Sequence, residues 1–376
     1  MKTKVKNIVL DDFWIMPQTP KYTEEGIPYI TSKNIKNGII SFKNTKYISE
    51  KDFRKISKNR PIKPNDILIS MIGTLGEAAI INESYGKFYG QNMFLIRLDS
   101  SKINYNYFLH YIKSTYVKNQ LQKKQNKSTQ SYLKAEHIED LEIPVPNLEH
   151  QLKIENKISM VKRIINMKKE EVKKLDEIIE SQFVEMFGDP LTSNNYERVT
   201  LDKLTKVNQG LQIPISKRYN EGGKNRYKYI TIQFLNGGKE AEYIENPNPR
   251  VVCTKDDILM TRTGNTGQVI TNVEGVFHNN FFKVDYDKNK LNKEFLIKYF
   301  EDDGIYSDMI RRATTSTIPD LSHSEFYKMS IDLPPIELQN KFADFVKQVD
   351  KQKFEIQKSL DEMQNLYESL MDKYFG

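Results

Sequence analysis

The residue types that most often carry out catalysis are few in this sequence and stand far apart. Its five histidines are scattered, and its one cysteine, Cys253, has no histidine or basic neighbour in sequence to activate the thiol. Paired ligand spacings typical of zinc sites are absent. So are the G-x-x-x-x-G-K-[ST] loop for nucleotide phosphates and the Asn/Asp-Pro-Pro-aromatic motif of amino-methyltransferases. The chemistry-bearing residues therefore predict a binding protein with no catalytic residue and no metal site.

Two short glycine runs and one charged triplet look like parts of enzyme motifs. GTLG (73–76) and GNTG (264–267) contain two glycines each and follow strand-like apolar runs, so hairpin turns are a better interpretation than phosphate cradles. EVK (171–173) matches half of a nuclease motif, but it lies in a long helical stretch. We interpret it as helix surface.

Several polar runs combine Lys or Arg, which neutralise phosphates, with amides and hydroxyls, which read base edges in the major groove. In the first half of the chain the predicted DNA contacts are Lys33, Asn34, Lys36, Arg54, Lys58, Arg60, Gln91, Asn92, Lys127, Thr129 and Gln130. In the second half they are Gln209, Lys217, Arg218, Lys224, Arg226, Arg262, Asn265, Asn279, Asn280, Arg311, Arg312 and Thr315. Each run alone is also explained as a polar loop; their recurrence at corresponding places favours DNA contact.

The net charge of +7 is unevenly distributed. Residues 1–147 hold 23 Lys and Arg against 14 Asp and Glu, which gives that stretch a net charge of +9. A basic globular segment indicates a polyanionic partner, although a lysine-rich composition that limits aggregation would give a similar excess.

The bulk composition indicates a globular chain that is long enough for two or three domains. No run approaches the roughly 18 apolar residues of a membrane span, and the first residues, MKTKVKNIVLDDFW, are too short and too quickly acidic for a signal peptide. A single cysteine excludes an internal disulfide bond. We therefore expect a cytoplasmic protein.

The second half of the sequence repeats the first at a fixed offset of half the chain length, which places Gly376 opposite Gly188. IPVPNLEHQLK (143–153) aligns with IDLPPIELQNK (331–341), QNMF (91–94) with NNFF (279–282), and both halves close on Phe-Gly. This period is far longer than that of a solenoid, so a duplicated domain with a connector is predicted.

Each half contains short strand-like runs with helical patches, followed by one long helix. The predicted fold class is α+β, with two homologous mixed α/β globular domains joined by two long antiparallel coiled-coil α-helices in an internal pseudo-twofold repeat. The predicted boundaries are 1–146 and 189–334 for the globular domains, and 147–188 and 335–376 for the helices.

Apolar residues in each long helix alternate at spacings of four and three, which is typical of a coiled-coil seam. The predicted pairing residues are Ile154, Ile158, Val161, Ile165, Val172, Leu175, Ile179, Phe342, Val346, Val349, Ile356, Leu360, Met363 and Tyr367. Antiparallel pairing is favoured, because the second globule is long enough to span the return distance; parallel pairing stays an alternative.

The ordered set of motifs, present twice, resembles the specificity subunits of type I restriction–modification systems. The resemblance covers essentially the whole chain and rests on DIL followed by G-x-x-G, on a polar pair before Phe, on IPVPNLEHQ and LPPIELQ, and on the long heptad helix. The sequence departs from the family at both domain entrances: WIMPQTP (14–20) lacks the usual glycine, and NQGLQIP (208–214) lacks Thr-Pro.

The resemblance implies a non-catalytic chain whose two recognition domains each read half of a bipartite, asymmetric DNA target. It further implies that the helices set the gap and dock two methyltransferase subunits, which bring S-adenosylmethionine and methylate adenine. Two restriction subunits would supply the ATP- and Mg-dependent helicase-nuclease. The alternatives are a stand-alone enzyme with an unfamiliar site and a structural coiled-coil protein whose globules bind protein.

Overall fold

The fold was analysed in a computed structural model that describes residues 2–16, 20–36, 38–71, 76–125, 133–313 and 319–376. The chain forms two compact units, Met1–Glu170 with Gln357–Gly376, and Glu171–Ile356. We call them the first and second unit. Each unit contains one predicted globular segment and part of both long helices.

The described residues of the first unit form short strands and four short α-helices before its long helix. The strands are β1 (Lys2–Lys4), β2 (Trp14–Ile15), β3 (Tyr22–Thr23), β4 (Ile27–Ile30), β5 (Ile35–Lys36), β6 (Ile39–Ile40), β7 (Lys46–Ile48), β8 (Ile67–Ser70), β9 (Ala78–Ile80), β10 (Tyr89–Gly90), β11 (Met93–Ile96) and β12 (Glu142–Pro144). The helices are α1 (Glu50–Ser57), α2 (Tyr105–Ile112), α3 (Thr115–Gln125), α4 (Ala135–Glu139) and α5 (Leu148–Phe187).

The second unit repeats this plan with ten strands among its described residues. The strands are β13 (Arg198–Thr200), β14 (Thr205–Gln209), β15 (Arg226–Ile230), β16 (Tyr243–Glu245), β17 (Val252–Cys253), β18 (Ile258–Thr261), β19 (Val269–Ile270), β20 (Gly275–Phe277), β21 (Phe281–Tyr286) and β22 (Ser330–Asp332). The helices are α6 (Ile232–Leu235), α7 (Lys293–Glu301), α8 (Asp303–Arg312), α9 (His323–Tyr327) and α10 (Ile336–Phe375).

One sheet has the same strand order in both units, and the other shares three strands but carries its fourth strand at opposite ends. The first unit has sheets ordered β2-β11-β8-β9 and β10-β4-β7-β3, and the second has β14-β21-β18-β19 and β16-β15-β20-β17. Most pairs are antiparallel, whereas β4 with β10 and β15 with β20 are parallel. The predicted mixed α+β class is confirmed. The β18–β19 pairing also makes GNTG part of a hairpin connection, as the sequence predicts; most of GTLG lies outside the described residues.

The elements nearest the long helices repeat at the predicted offset of half the chain length. Helices α4 and α9, strands β12 and β22, and helices α5 and α10 begin and end at positions separated by that offset. Both long helices end before a glycine: the Gly188 amide donates to Val184 O at 2.8 Å, and Gly376 donates to Asp372 O at 2.9 Å. Gly188 has φ of 86°, which favours glycine and stops the helix.

The long helices pack against each other in an antiparallel sense within each unit. In the first unit, Ile154 and Ile158 near the start of α5 share a core with Met371 and Phe375 at the end of α10. Val161, Ile165 and Leu360 form the adjoining cluster, against which Met363 and Tyr367 pack.

In the second unit, the later part of α5 packs against the early part of α10. Ile179 in the later part of α5 shares a core with Phe342, Val346 and Val349 in the early part of α10, and Leu175 packs against it. Val172 and Ile356, at the centre of the predicted seam, are half-buried. Forty residues per helix, at 1.5 Å each, give about 60 Å of helix.

The buried face of each helix shifts near its C-terminal end. A strict heptad continues Ile179 with Gln182 and Met186, but the structure buries Phe183 and Phe187 instead, and it likewise buries Met371 and Phe375. The reason is an aromatic contact with the globular part of the same unit. Phe187 lies 4.8 Å from Phe295, and Phe375 lies 5.1 Å from Tyr107, measured between ring centroids.

No helix among the described residues is both long enough and apolar enough to cross a membrane.

Candidate nucleic-acid interface

The hairpin of β5 and β6 and the turn before it present two lysines of the first unit to solvent. Asn34, a predicted base reader, is used locally: its Oδ1 accepts from the Thr31 amide at 2.9 Å, and its Nδ2 donates to Ser41 O at 2.9 Å. Lys33 and Lys36 are exposed and form no ion pair with a described residue. The hairpin is therefore fixed by Asn34 while its lysines are available for phosphates.

The predicted cations around α1 fall into two groups. Arg60 is 12 % exposed and pairs with Asp11 at 2.8 Å, so its guanidinium serves the fold. Arg54 is exposed and lies 3.3 Å from Glu50, one helical turn away. Lys58 is exposed, and within the described ranges it has no acidic partner. Lys58 is thus the most accessible of the three.

The polar pairs Gln91-Asn92 and Asn279-Asn280, which precede β11 and β21, occupy the same place in both units. In the first unit the Met71 amide donates to Asn92 O at 3.0 Å, and in the second the Arg262 amide donates to Asn280 O at 2.6 Å. Asn92 is exposed with φ of 58°, a conformation that Asn tolerates better than most residues. Gln91 donates to Tyr22 Oη at 3.4 Å.

Arg262 is the centre of a polar cluster in the second unit. Its guanidinium donates to both carboxylate oxygens of Asp320, with Nε at 2.6 Å and Nη2 at 2.8 Å, and Nη1 donates to Gln209 Oε1 at 3.3 Å. The hydrogen bond to Asp320 is the main cause that raises the pKa of Arg262. Gln209 Nε2 donates in turn to Asn279 O at 2.5 Å. The cluster brings together three predicted DNA contacts.

Two atoms beside this cluster lack hydrogen-bond partners in the described part of the chain. They are Asn279 Oδ1 and His323 Nε2, and both atoms are buried. Burial, with Arg262 as a lesser cause, lowers the pKa of His323, so this imidazole is neutral at pH 7. A buried polar atom without a partner is costly, and a ligand group that supplies one would be favoured.

The other arginines of the second unit are mostly engaged within the chain. Arg218 pairs with Glu242 at 3.0 Å and is 14 % exposed. Arg226 pairs with Glu245 at 3.2 Å and lies 3.6 Å from the centroid of the Tyr219 ring.

Arg311 and Arg312 both pair with Asp308, although Arg311 is still 78 % exposed. By contrast, Lys217, Lys224 and Asn265 are exposed, and the two lysines have no ion pair with a described residue.

Four of the predicted contacts lie outside the described residues: Lys127, Thr129, Gln130 and Thr315. Two cluster members, Asp320 and His323, were not predicted. Asp320 is 58 positions from Arg262 in sequence, and no spacing rule connects them. Cys253 is buried, and burial raises its pKa to about 11, which agrees with an unreactive thiol.

The chain belongs to the family described as type I restriction modification DNA specificity domain, whose model matches residues 15–177 and again 193–363. The double match corresponds to the two units and makes the chain a specificity subunit of the type I class with two recognition domains.

Individual relatives agree with this assignment. The chain is 23 % identical over 198 residues to the type I restriction enzyme MjaVIII specificity subunit of Methanocaldococcus jannaschii; the match covers 52 % of this chain and 45 % of that relative. It is 21 % identical over 396 residues to the StySPI specificity subunit of Salmonella potsdam, with 94 % of this chain and 82 % of that relative covered.

The fold also has a solved counterpart. A chain from a study of complex assembly and conformational transition of the type I restriction–modification system matches with a TM-score of 0.63 and 18 % identity. The match covers 100 % of this chain and 97 % of that chain. This likeness supports the α+β fold with paired long helices.

Proposed function

We propose that this chain is the non-catalytic DNA-recognition subunit of a type I restriction–modification complex. Each unit reads one half of a bipartite, asymmetric target, and the long helices set the gap between the two half-sites. The chain directs adenine methylation and restriction that other subunits perform.

The observation that carries this proposal is a repeated scaffold with different reading residues. The buried contacts that attach each long helix to its globular part are alike in both units: Gln151 and Gln339 occupy equivalent places and make equivalent hydrogen bonds. The residues at the strand ends differ, because Met71 of the first unit stands where the second has Arg262. Two equal frames with different surface chemistry suit two different short DNA sequences.

The division of roles follows from exposure. Exposed lysines such as Lys33, Lys36, Lys217 and Lys224 neutralise phosphates without reading sequence. Asn92, Asn265 and Asn280 offer amide groups that suit adenine and other base edges in the major groove. Arg60 and Arg218, held by Asp11 and Glu242, position the loops.

The long helices offer surface for protein partners. On α5, Met160 and Met167 are 66 % and 60 % exposed, and on α10 Phe354 is 68 % exposed. Exposed apolar side chains of this size support docking of other subunits. In this proposal the partners are two methyltransferase subunits with S-adenosylmethionine and two restriction subunits with ATP and Mg; this chain holds none of these cofactors.

Selection of random DNA duplexes by the chain, purified with its methyltransferase partner, tests the proposal. The enriched duplexes should share two different short sequences at one fixed gap. Enrichment of a single uninterrupted sequence, or of none, would contradict it. Binding that ignores salt would instead favour a protein-binding role, because phosphate contacts weaken steeply as salt rises.

A further inference from the structure

A cavity in the first unit is lined by four lysines. It has a volume of about 910 Å³ and lies among α2, α3, α5 and α10. The charged residues of its lining are Lys113, Lys118, Lys162, Lys169, Glu77 and Glu368. The lining therefore carries a net positive charge at pH 7, and uncharged donors such as Asn166 and Gln364 complete it.

The charges of Lys162 and Lys118 repel the ammonium group of Lys113, and Glu77 offsets them only in part. None of the four ammonium groups forms an ion pair or hydrogen bond with another described residue. Burial, followed by the charges of Lys162 and Lys118 and opposed by Glu77, lowers the pKa of Lys113 to about 8. Burial and the charges of Lys162 and Lys113 lower the pKa of the adjacent His110 to about 4. An anion inside the cavity would relieve this repulsion.

The second unit has a corresponding cavity of opposite charge. Its volume is about 630 Å³, and its charged lining residues are Glu180, Glu185, Lys298, Glu301, Asp302 and Asp303. At the offset of the repeat, Lys113 corresponds to Glu301, which lines the acidic cavity. The same fold thus forms a basic cavity once and an acidic cavity once, and only the first attracts an anion.

The basic cavity adjoins a segment that is predicted to contact DNA. Ile39 lines it and belongs to the β5–β6 hairpin, next to the predicted contacts Lys33 and Lys36. A Cβ atom at Gly38 would lie 2.7 Å from Lys113 Nζ, so the lysine packs directly against the hairpin that presents Lys33 and Lys36. An anion in this cavity would lie beside the DNA contacts of the first unit.

We propose that the cavity lined by Lys113, Lys118, Lys162 and Lys169 is a phosphate site, occupied by a backbone phosphate next to the first half-site, with no counterpart in the second unit. The inference rests on the proposed function. Lysines bind phosphate as point charges, and four of them suit a group of high charge density better than a single carboxylate. The contact adds affinity to every DNA sequence alike.

The salt dependence of DNA binding by the full chain, with its methyltransferase partner, tests the site. The double variant K162Q/K169Q should bind all duplexes more weakly and lower the slope of log K against log salt by about 1, since one lost phosphate contact removes about 0.9. The matched control K157Q/K174Q removes two exposed lysines of the same helix that do not line the cavity, and should keep the wild-type slope. An unchanged slope in K162Q/K169Q would overturn the inference.

The source of the phosphate is decided by two further measurements. If DNA supplies it, a neutral methylphosphonate at one position beside the first half-site weakens wild-type binding and leaves K162Q/K169Q unaffected. If a free anion occupies the cavity instead, inorganic phosphate raises the melting temperature of the wild type but not of the variant, and the methylphosphonate affects both proteins equally; that result would overturn the assignment to DNA. Stabilisation by an acidic peptide but not by phosphate would also overturn the proposal.

Failure of this inference is distinguishable from failure of the proposed function. If the wild-type complex selects no bipartite duplex, the function is wrong. If it selects one and the lysine variants retain the wild-type salt slope, the function stands and the phosphate site does not.

Discussion

Gln151 and Gln339 are equivalent residues that lock the start of each long helix to its own unit through the same three hydrogen bonds. Gln151 Oε1 accepts from the Asn104 amide at 2.8 Å, and its Nε2 donates to Lys102 O at 2.8 Å and Pro146 O at 2.7 Å. Gln339 Oε1 accepts from the Asn292 amide, and its Nε2 donates to the carbonyls of Lys290 and Pro334 at 2.8–2.9 Å. Both side chains are fully buried.

Replacement of Gln151 by Ala should therefore destabilise the first unit markedly. It leaves one amide and two carbonyls without their side-chain partner in a buried place, at a cost of about 3 kcal/mol. Urea denaturation measures the loss. Q357A, at an exposed position of α10, is the control and should change stability by less than about 0.5 kcal/mol. Equal losses of unfolding free energy in Q151A and Q357A would show that the hydrogen bonds of Gln151 do not stabilise the first unit.

The stability of the first unit should fall in mild acid because of His110. Its Nε2 lies 3.1 Å from Ser159 Oγ, and the Ser159 hydroxyl donates to Glu155 at 2.7 Å. The neutral imidazole therefore donates from Nε2 to Ser159 Oγ. The folded pKa of about 4 lies below the unfolded value of 6.5. Stability is therefore full above pH 6.5 and is lost as the pH falls towards 4, by at most about 3 kcal/mol.

Denaturation curves between pH 4 and 7 check this expectation. In H110N the fall in stability over that range should be clearly smaller than in the wild type. A wild-type pH profile in H110N would show that other groups cause the acid sensitivity.

Replacement of Lys113 should raise the stability of the first unit and weaken DNA binding. Burial, followed by the charges of Lys162 and Lys118, makes its charge unfavourable in the folded state, and Glu77 opposes this effect. The penalty is present at pH 7 and disappears as the pH rises from about 8 to 10.5. K113M should therefore melt at a higher temperature at pH 7 and bind DNA more weakly. Thermal melts and binding at one salt concentration test this; a variant that is both less stable and equally good at binding would contradict it.

Asn92 and Asn280 should each affect only one half of the target. Asn92→Gly removes the amide group but tolerates the φ of 58°, so it separates base contact from backbone strain. It should relax discrimination at the first half-site, and N280A should do so at the second. Methylation rates on targets with single base changes measure both. A variant that alters both halves would refute independent reading.

Matched insertions of four residues into both helices, after Ile165 in α5 and before Leu360 in α10, should lengthen the gap. Four residues add about 6 Å of helix, which corresponds to one or two base pairs, while both half-sites stay the same. Both helices must change because Ile165 and Leu360 pack together. The same four residues placed after Gly237, where an added Cβ would meet no atom within 4 Å, are the control and should leave the gap unaltered.

The scaffold was predictable from the sequence because it depends on period and repetition. The heptads of α5 and α10, together with the repeat that spans half the chain, predict the paired helices and the duplicated α+β units. The prediction lost accuracy at Phe183 and Phe187, where packing against Phe295 overrides the heptad. A seam alone contains no information about such a contact.

The candidate interface was less predictable, for a physical reason. Sequence patterns indicate which loops carry arginine but not which carboxylate will meet it. Arg60, Arg218 and Arg262 are held by Asp11, Glu242 and Asp320, and these pairs form only through the fold. The cavity of the first unit was missed for the same reason: its lysines come from the residue after α2, from α3 and from α5, and no short window contains them.

The central claim is that this chain alone chooses the DNA that its complex modifies. Mapping of methylated adenines across the genome, with the gene intact and deleted, tests it most directly. We predict one bipartite motif, two short sequences at a fixed gap, whose methylation disappears on deletion and returns when the gene is restored. An identical methylation pattern with and without the gene would contradict the claim.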